Sequence, residues 1–176
     1  MARPSALFPG EVRQVGHIVA DLDEAITSWT SIGIDRWTRF ESELHALTVL
    51  DDAGRPTAST ASLRIALTNV GPMQIELIEA RGDARSPWTE TRNDGRFGPH
   101  HIAYWADDFA AVRAAVQEAV DVGALRIVLE AGGDGMPGFF YCQPSDRSML
   151  IEVMELNDLT RPFMDHVRNK AHAVTE

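Results

Sequence analysis

The feature that most constrains the fold of this chain is an order of elements that occurs twice. Residues 12–20 are rich in Val and Ile and predict a strand, which is followed by an acidic helix and by several strands that end near Glu79. The same order restarts at Pro99 and ends near Glu155. An internal repeat is stronger evidence for a fold than either segment alone. We therefore predict an α+β protein built from two βαβββ modules.

The repeat divides the chain into five predicted parts. They are an N-terminal arm (1–11), a first module (12–80), a linker (81–97), a second module (98–156) and a C-terminal helix (157–176). In the first module the pattern predicts two short strands at 35–40 and 44–50, followed by a polar stretch at 51–59. In the linker, Ser86 and Pro87 predict one helical turn, because Ser is a favourable cap and Pro fits the first helical position.

The composition narrows the kind of partner that the chain is expected to bind. Its formal net charge of −10 disfavours nucleic acid, because a surface that binds nucleic acid has to be basic. The sequence has no apolar run of about 18 residues, so no membrane helix is expected. Its one cysteine, Cys142, cannot form an internal disulfide, which fits a reducing compartment. We therefore expect a cytoplasmic protein that acts on a small molecule.

The two copies match at the residues that are able to carry chemistry. Val-Gly-His17-Ile matches Pro-His-His101-Ile near the start, and Gln-Ile-Glu76-Leu matches Leu-Ile-Glu152-Val near the end. The matched histidines are 84 positions apart, since 101 minus 17 gives 84. Two imidazoles and two carboxylates form a mixed nitrogen and oxygen set that suits a divalent first-row metal. This match predicts a metal site shared by the two modules.

Each of these residues also has a structural interpretation. A lone histidine such as His17 is more often a structural residue than a ligand. A carboxylate such as Glu76, which lies inside an apolar strand, is costly to bury unless it is ligated or paired, here with Arg64 or Arg81. The repeat favours ligation in both cases. Strand alternation makes three neighbours of the matched residues weaker candidates, because they are expected on the opposite faces: Glu79, Glu155 and His100.

Four short motifs resemble those of a known superfamily. They are His-Ile-Val-Ala-Asp-Leu from residue 17, Ile-Glu-Leu-Ile-Glu from residue 75, His-His-Ile-Ala-Tyr from residue 100 and Leu-Ile-Glu-Val from residue 150. In this order they resemble the vicinal oxygen chelate superfamily of glyoxalases, bleomycin resistance proteins and dioxygenases, over residues 12–156. The nearest branch is that of methylmalonyl-CoA epimerase and glyoxalase I. The resemblance implies two modules whose curved mixed sheet surrounds a metal site.

The resemblance also implies ligands, a cofactor and a reaction. The family pattern places ligands on the first and last strands of each module, at His17, Glu76, His101 and Glu152. The cofactor would be one divalent ion (Zn, Ni, Co, Mn or Fe) that stabilises the charge formed when a proton leaves the carbon next to a carbonyl. Glu152 is the expected base and Glu76 the second choice. Substrate contacts are expected from Arg64, which would bind a carboxylate or phosphate, and from Tyr141 and Trp105.

The implied function is that of an epimerase, isomerase or glyoxalase-type lyase acting on an acyl-CoA or a keto- or hydroxy-carbonyl metabolite, as a homodimer. Two other functions on the same scaffold stay open. An extradiol dioxygenase would hold Fe(II) with two His and one Glu, such as His17, His101 and Glu152, although Glu76 as a fourth ligand argues against it. A protein of the bleomycin resistance type would sequester a ligand without catalysis and would not need the full ligand set.

Overall fold

The computed structural model describes residues 7–8, 10–133 and 136–173, and within them eight strands form one closed barrel accompanied by four helices. The strands are β1 (Gln14–Ile18), β2 (Thr38–Leu50), β3 (Pro56–Val70), β4 (Met73–Arg81), β5 (Gly98–Ala106), β6 (Leu125–Gly133), β7 (Met136–Pro144) and β8 (Leu150–Glu155). The helices are α1 (Leu22–Thr30), α2 (Pro87–Asn93), α3 (Phe109–Asp121) and α4 (Thr160–His172). The predicted α+β class is confirmed.

One mixed sheet joins the two halves of the chain. The order of strands around the barrel is β1-β4-β3-β2-β6-β7-β8-β5. We call β1–β4 with α1 the first module, and β5–β8 with α3 the second module. In each of them the first strand runs parallel to the last, β1 beside β4 and β5 beside β8. The two first strands, β1 and β5, pair antiparallel to each other. The last strands of both modules therefore flank a central pair of first strands.

The hairpin β2–β3 is longer than the sequence predicts. The two short strands expected at 35–40 and 44–50 form one strand, Thr38–Leu50, because a register irregularity between Leu44 and Leu47 lets the ladder continue. The stretch 51–59, expected to be a polar connection, already enters β3 at Pro56, which pairs with Leu50. Leu47 and Val49 of β2 are buried at this end, whereas residues 56–60 of β3 are mostly exposed, so the start of β3 does not need the apolar residues that would have identified it.

Side-chain caps begin α1, α2 and α3, where acidic or hydroxyl residues predict them. Asp21 accepts a hydrogen bond from the backbone N–H of Glu24 at the start of α1, and Asp108 accepts one from Ala111 at the start of α3. Ser86 forms a reciprocal capping box with Thr89 at the start of α2. The capped segment of the linker continues beyond the single predicted turn to Asn93.

The C-terminal helix α4 packs against the first module, although it follows the second module in sequence. The Phe163 ring lies edge-on to Phe40 of β2, with 5.5 Å between ring centroids. Lys170 Nζ donates to the backbone oxygen of Trp37 at 2.8 Å, and Val167 joins the core cluster that lines the barrel. The helix therefore holds the two modules together. Within the described residues, no helix is long and apolar enough to cross a membrane.

Candidate metal centre

Three residues from three strands meet inside the barrel. Glu76 lies on β4, His101 on β5 and Glu152 on β8, and one ligand atom from each lies within 4.8 Å of the others. His101 Nε2 is 2.9 Å from Glu152 Oε2 and 3.4 Å from Glu76 Oε2. The register explains the meeting, because Gly16 of β1 pairs with both Glu76 and His101. The central strand pair thus brings together groups that are far apart in sequence.

Gly16 makes the room that the His101 ring occupies. A Cβ placed on this glycine would overlap the imidazole, most closely at Cε1. Gln14 and Ile18, which share a strand face with Gly16, are buried as well. The missing side chain therefore leaves a space on the inner face of β1, and the imidazole of the second module fills it.

The donor set fits a divalent metal ion. The contact between His101 Nε2 and Glu152 has the distance but not the geometry of a hydrogen bond, and among the described residues this buried nitrogen has no hydrogen-bond partner. A cation bound between this imidazole nitrogen and the two carboxylates would satisfy all three groups. Glu76, His101 and Glu152 are therefore able to hold a metal ion by their positions alone.

The charges of the three groups are strongly coupled. Burial opposes protonation of His101, but the adjacent carboxylates of Glu152 and Glu76 outweigh burial and raise its pKa to about 9. Burial raises the pKa of Glu76, and His101 partly offsets this effect. Two carboxylates so close together repel each other, so a cation between them, either an imidazolium or a metal ion, lowers their free energy.

Two further residues contact this group. The Tyr141 hydroxyl donates to Glu152 Oε2 at 3.2 Å, and burial together with the nearby carboxylates raises the pKa of this phenol, so it stays protonated. His100 Nδ1 lies 3.0 Å from His101 Nδ1. Alternation predicts that His100 faces away from His101, but this prediction is wrong. Gly16 pairs with His101 and His17 with Pro99, so His100 is the extra residue of a bulge and the alternation breaks there.

The structure does not bring His17 into the group, and this corrects the predicted ligand set. Side chains alternate along β1, so His17 lies on the face opposite to Gly16. Its ring packs edge-on against Trp29 of α1, with 5.7 Å between ring centroids, and its register partner Leu77 belongs to the cluster between α1 and the sheet. Burial lowers the pKa of His17. It belongs to the layer between helix and sheet, outside the barrel.

The register shows which residue of the first module corresponds to His101. Glu76 pairs with Gly16 and Glu152 pairs with Ala103, so Gly16 and Ala103 are equivalent, and 103 minus 16 gives an offset of 87. The same offset relates His101 to Gln14, not to His17. Gln14 is buried, and its Nε2 donates to Gln74 Oε1 at 2.7 Å. Sequence reasoning missed Gln14, although the helix caps Asp21 and Asp108 are also 87 positions apart and would have found it.

Arg64 and Trp105, both predicted to contact the substrate, lie elsewhere. Arg64 is on the outer face of β3, where its guanidinium donates to Glu79 Oε2 and Asp23 Oδ2, each at 2.8 Å. The predicted salt-bridge alternative for Glu76 is thus made by Glu79. Trp105 lines a separate cavity beside the N-terminal segment with Arg13 and Asp108. Of the three predicted substrate contacts, Tyr141 is the one that the structure brings to the carboxylates.

A cavity of about 290 Å³ lies against the two carboxylates. Glu76, Glu152 and Tyr141 form its polar wall, together with Gln14. Most of the other lining residues are apolar and come from both modules and α4, for example Phe40, Leu63, Ile65, Phe139, Met154 and Phe163. A small molecule in this cavity would meet the polar group at one end and an apolar surface elsewhere, as in many ligand sites.

Comparisons with known proteins agree with this architecture. Residues 13–136 match the family model described as Glyoxalase/Bleomycin resistance protein/Dioxygenase superfamily. No curated protein sequence matches the chain. Among solved structures, methylmalonyl-CoA epimerase from Mycobacterium tuberculosis is 21% identical, with a TM-score of 0.57 over 92% of this chain and 97% of the other.

Two further solved structures are similar to the chain. A hypothetical protein from Bacillus halodurans C-125 is 19% identical, with a TM-score of 0.55 over 84% of this chain and 95% of the other. Streptomyces coelicolor methylmalonyl-CoA epimerase in complex with 2-nitronate-propionyl-CoA is 16% identical, with a TM-score of 0.55 over 84% of this chain and 95% of the other. At such low identity, these likenesses show the fold alone.

Proposed function

Because the chain belongs to the glyoxalase/bleomycin resistance protein/dioxygenase superfamily, we propose that it is a metal-dependent enzyme that moves a proton next to a carbonyl group. The reaction would be an epimerisation, an isomerisation or a glyoxalase-type lyase reaction. The observation that carries this proposal is the group of Glu76, His101 and Glu152 within 4.8 Å, with both carboxylates facing a mostly apolar cavity.

Glu76, His101 and Glu152 would hold the ion, and the amide oxygen of Gln14 is the fourth donor that the inner face of β1 offers. A divalent ion there, when bound, supplies positive charge beside a substrate carbonyl, so the α-proton becomes more acidic. Zn, Ni, Co, Mn and Fe all accept such a set of imidazole and carboxylate ligands.

The residues of the chain supply the proton transfer. Glu152 is the proposed base, because its carboxylate faces the cavity and the Tyr141 hydroxyl, at 3.2 Å, fixes its orientation. Glu76 is the second choice, since burial raises the pKa of this carboxyl group and so makes its carboxylate a stronger base. The apolar lining would exclude water from the substrate carbon, which keeps the abstracted proton at the carboxylate.

The first substrates to test follow from the similar structures. One of them contains 2-nitronate-propionyl-CoA and another contains methylmalonyl-CoA. We therefore propose an acyl-CoA thioester as the first substrate class and a keto- or hydroxy-carbonyl metabolite as the second. The polar end of the cavity suits the oxygen atoms of an acyl group beside a bound cation, and the apolar lining suits its alkyl part.

The experiment measures proton exchange at the α-carbon of methylmalonyl-CoA and of keto acids in deuterated water. NMR detects the exchange. Glu152→Gln is expected to lower the exchange rate by about 100-fold or more, because a positioned general base contributes roughly this factor. Glu155→Gln is the matched control, since Glu155 lies on the opposite face and accepts a hydrogen bond from the Gly138 N–H. Equal losses in the two variants would contradict the assignment of the base.

One observation supports a second candidate function, ligand sequestration without catalysis. A protonated His101 already neutralises part of the carboxylate charge, since its pKa is raised to about 9. The group is therefore compatible with a protein that binds a ligand in the apolar cavity and uses no metal. Absence of metal after loading, together with tight binding of an apolar ligand, would favour this candidate.

The extradiol dioxygenase alternative has less support. A dioxygenase site of this type needs two histidines and one carboxylate. Because His17 lies outside the barrel, the group contains one histidine, His101, among the residues that the structure describes. Oxygen uptake with catechols after ferrous loading tests it directly.

The main proposal also includes a cytoplasmic homodimer. The free buried thiol of Cys142 fits a reducing compartment, and the family resemblance implies a dimer. Light scattering measures the oligomeric state.

A further inference from the structure

A second cavity, of about 250 Å³, opens beside α2. Among the described residues, it shares none of its lining with the cavity at the carboxylates. Its charged lining residues, within the described part of the chain, are Arg96, Arg126 and Arg147 against one acid, Glu90. Glu90 is already paired with Arg85 at 2.7 Å. The three arginines pair with two acids outside the lining, Asp94 and Asp52, so three minus two leaves one positive charge at this cavity on a chain with a net charge of −10.

The guanidinium groups at this cavity are held in place. Gln143 Oε1 accepts from Arg126 Nε at 3.0 Å and from Nη2 at 2.7 Å. Asp52, which is not part of the lining, pairs with Arg126 and, at 2.9 Å, with Arg147. Gln143 Nε2 in turn donates to the backbone oxygen of Arg147 at 3.1 Å. Because these partners fix the guanidinium groups of Arg126 and Arg147, the N–H groups that they leave unused can bind an anion with little loss of conformational entropy.

A buried nitrogen also faces the cavity. His100 lines it and is 9% exposed, and its Nε2 has no hydrogen-bond partner among the residues that the structure describes. His101 turns its Nε2 toward the two carboxylates, and its Nδ1 lies 3.0 Å from His100 Nδ1. Because this contact occupies His100 Nδ1, Nε2 is the ring nitrogen of His100 that remains for a ligand.

The backbone of Pro87, which also lines the cavity, interacts with the His100 ring without giving Nε2 a hydrogen bond of good geometry. A buried polar nitrogen without such a bond costs free energy, so a ligand that bonds His100 Nε2 would lower this cost. The exposed apolar side chains of Phe97 and Met149 lie at the same cavity. They provide a surface for an organic group next to the basic residues.

From these contacts we infer that the cavity binds a phosphate group. The Nε2–H of His100 donates to one phosphate oxygen, and Arg126 and Arg147 donate to the others, with Arg96 at the rim. Three guanidinium groups and an N–H suit a dianion with several acceptor oxygens better than they suit a single carboxylate. The inference does not depend on the reaction proposed above, because the phosphate site shares no lining residue, among those described, with the catalytic cavity.

In the test, inorganic phosphate is titrated into the metal-free protein of residues 1–176. Calorimetry and ¹⁵N NMR of the histidine side chains measure the binding. We expect saturable binding, with a change in the Nε2–H signal of His100. Arg126→Gln and Arg147→Gln should each weaken binding about tenfold, as expected for the loss of a hydrogen bond from a charged group. Arg168→Gln is the control, because Arg168 lies on α4 and pairs with Asp165. It should bind phosphate like the unchanged protein.

The Arg147→Gln variant separates a loss of phosphate binding from a loss of folding. Its side chain is 56% exposed, so its replacement should leave the fold intact, and thermal unfolding of each variant checks this. Binding of equal strength in the Arg147→Gln and Arg168→Gln variants would overturn the inference, as would the absence of saturable binding. Neither result bears on the proposed reaction, since metal and turnover are not involved.

A competition experiment identifies the source of the phosphate group. Displacement of phosphate by coenzyme A but not by pantetheine supports the site and assigns it to a phosphate of the substrate. Phosphate binding that coenzyme A leaves unchanged supports the site and assigns it to a separate phosphorylated molecule.

Discussion

The two modules have the same order of elements, but they contribute unequally to the candidate metal centre. The second module supplies an imidazole and a carboxylate, His101 and Glu152, whereas the first supplies one carboxylate, Glu76. At the positions equivalent to His101 and Ala103, the first module carries Gln14 and Gly16. The glycine provides the space that the imidazole of the other module occupies. The second module thus supplies the imidazole, and the first module supplies the space in which that imidazole lies.

The outer faces of the two first strands are more alike. His17 packs against Trp29 of α1, and its counterpart at the offset of 87, Tyr104, stacks on Phe8 with 5.1 Å between ring centroids. Both are aromatic rings that cover the outside of the barrel. The identity of a residue type, histidine in this case, is therefore a weaker guide to equivalence than the strand face on which it lies.

The largest expected effect comes from filling the space at Gly16. Gly16→Ala should displace the His101 ring, lower the free energy of unfolding by about 1–3 kcal/mol as in other overpacked cores, and abolish metal binding. Thermal unfolding and metal content measure the two effects. Ala103→Gly, at the equivalent position of the second module, is the control and should keep its metal. Full metal content in the Gly16→Ala variant would contradict the claim that Gly16 of the first module makes room for His101 of the second module.

The second effect is a pH dependence that comes from the imidazole of the second module. In the metal-free protein the carboxylates of Glu152 and Glu76 outweigh burial and raise the pKa of His101 from 6.5 to about 9. This contribution to stability is present below about pH 6.5 and is lost as the pH rises through about 9. A metal ion must displace the proton, so its affinity should rise about tenfold per pH unit between these values. Metal titration at several pH values checks this, and a flat profile would contradict it.

A smaller effect should follow when the first module is made to resemble the second. Gln14→His places an imidazole at the position equivalent to His101 and should raise the affinity for zinc about tenfold, because imidazole is a better zinc ligand than an amide. The variant loses the hydrogen bond to Gln74, which costs about 0.5–1.5 kcal/mol of stability. Competition with a chelator measures the affinity. Gln14→Ala is the control, and equal affinities in both variants would show that residue 14 does not face the ion.

The smallest effect on function is expected at Arg64. This residue pairs with Glu79 and Asp23 on the outer face of β3, so Arg64→Ala should lower the melting temperature slightly and leave KM unchanged. Steady-state kinetics and thermal unfolding separate the two effects. A tenfold increase in KM with unchanged stability would restore the substrate-binding role that the sequence predicts for Arg64.

Much of the fold could be predicted from the sequence because its signals are local. The Val- and Ile-rich first strand and the caps Asp21 and Asp108 are all readable along the chain. The length of the β2–β3 hairpin was not predictable, because the mostly exposed start of β3, residues 56–60, lacks a run of apolar residues and because the ladder continues through an irregularity. Pairing with a neighbouring strand, not composition, makes that segment a strand.

The site was predictable in part for the same reason. Strand alternation indicates that Glu76 and Glu152 face inward, and the structure brings them together with His101. His17 was aligned with His101 by residue identity, which gives an offset of 84, whereas the caps and the register give 87. The proximity of His100 depends on a bulge opposite Gly16, and a bulge leaves no signal in a single sequence.

The most direct test of the account compares the metal content of two histidine variants, purified without a histidine tag and measured by mass spectrometry. The unchanged protein and His17→Ala should each hold about one divalent ion per chain, whereas His101→Ala should hold none, because His101 faces the two carboxylates and His17 faces α1. Loss of the ion in His17→Ala, or its retention in His101→Ala, would contradict the account.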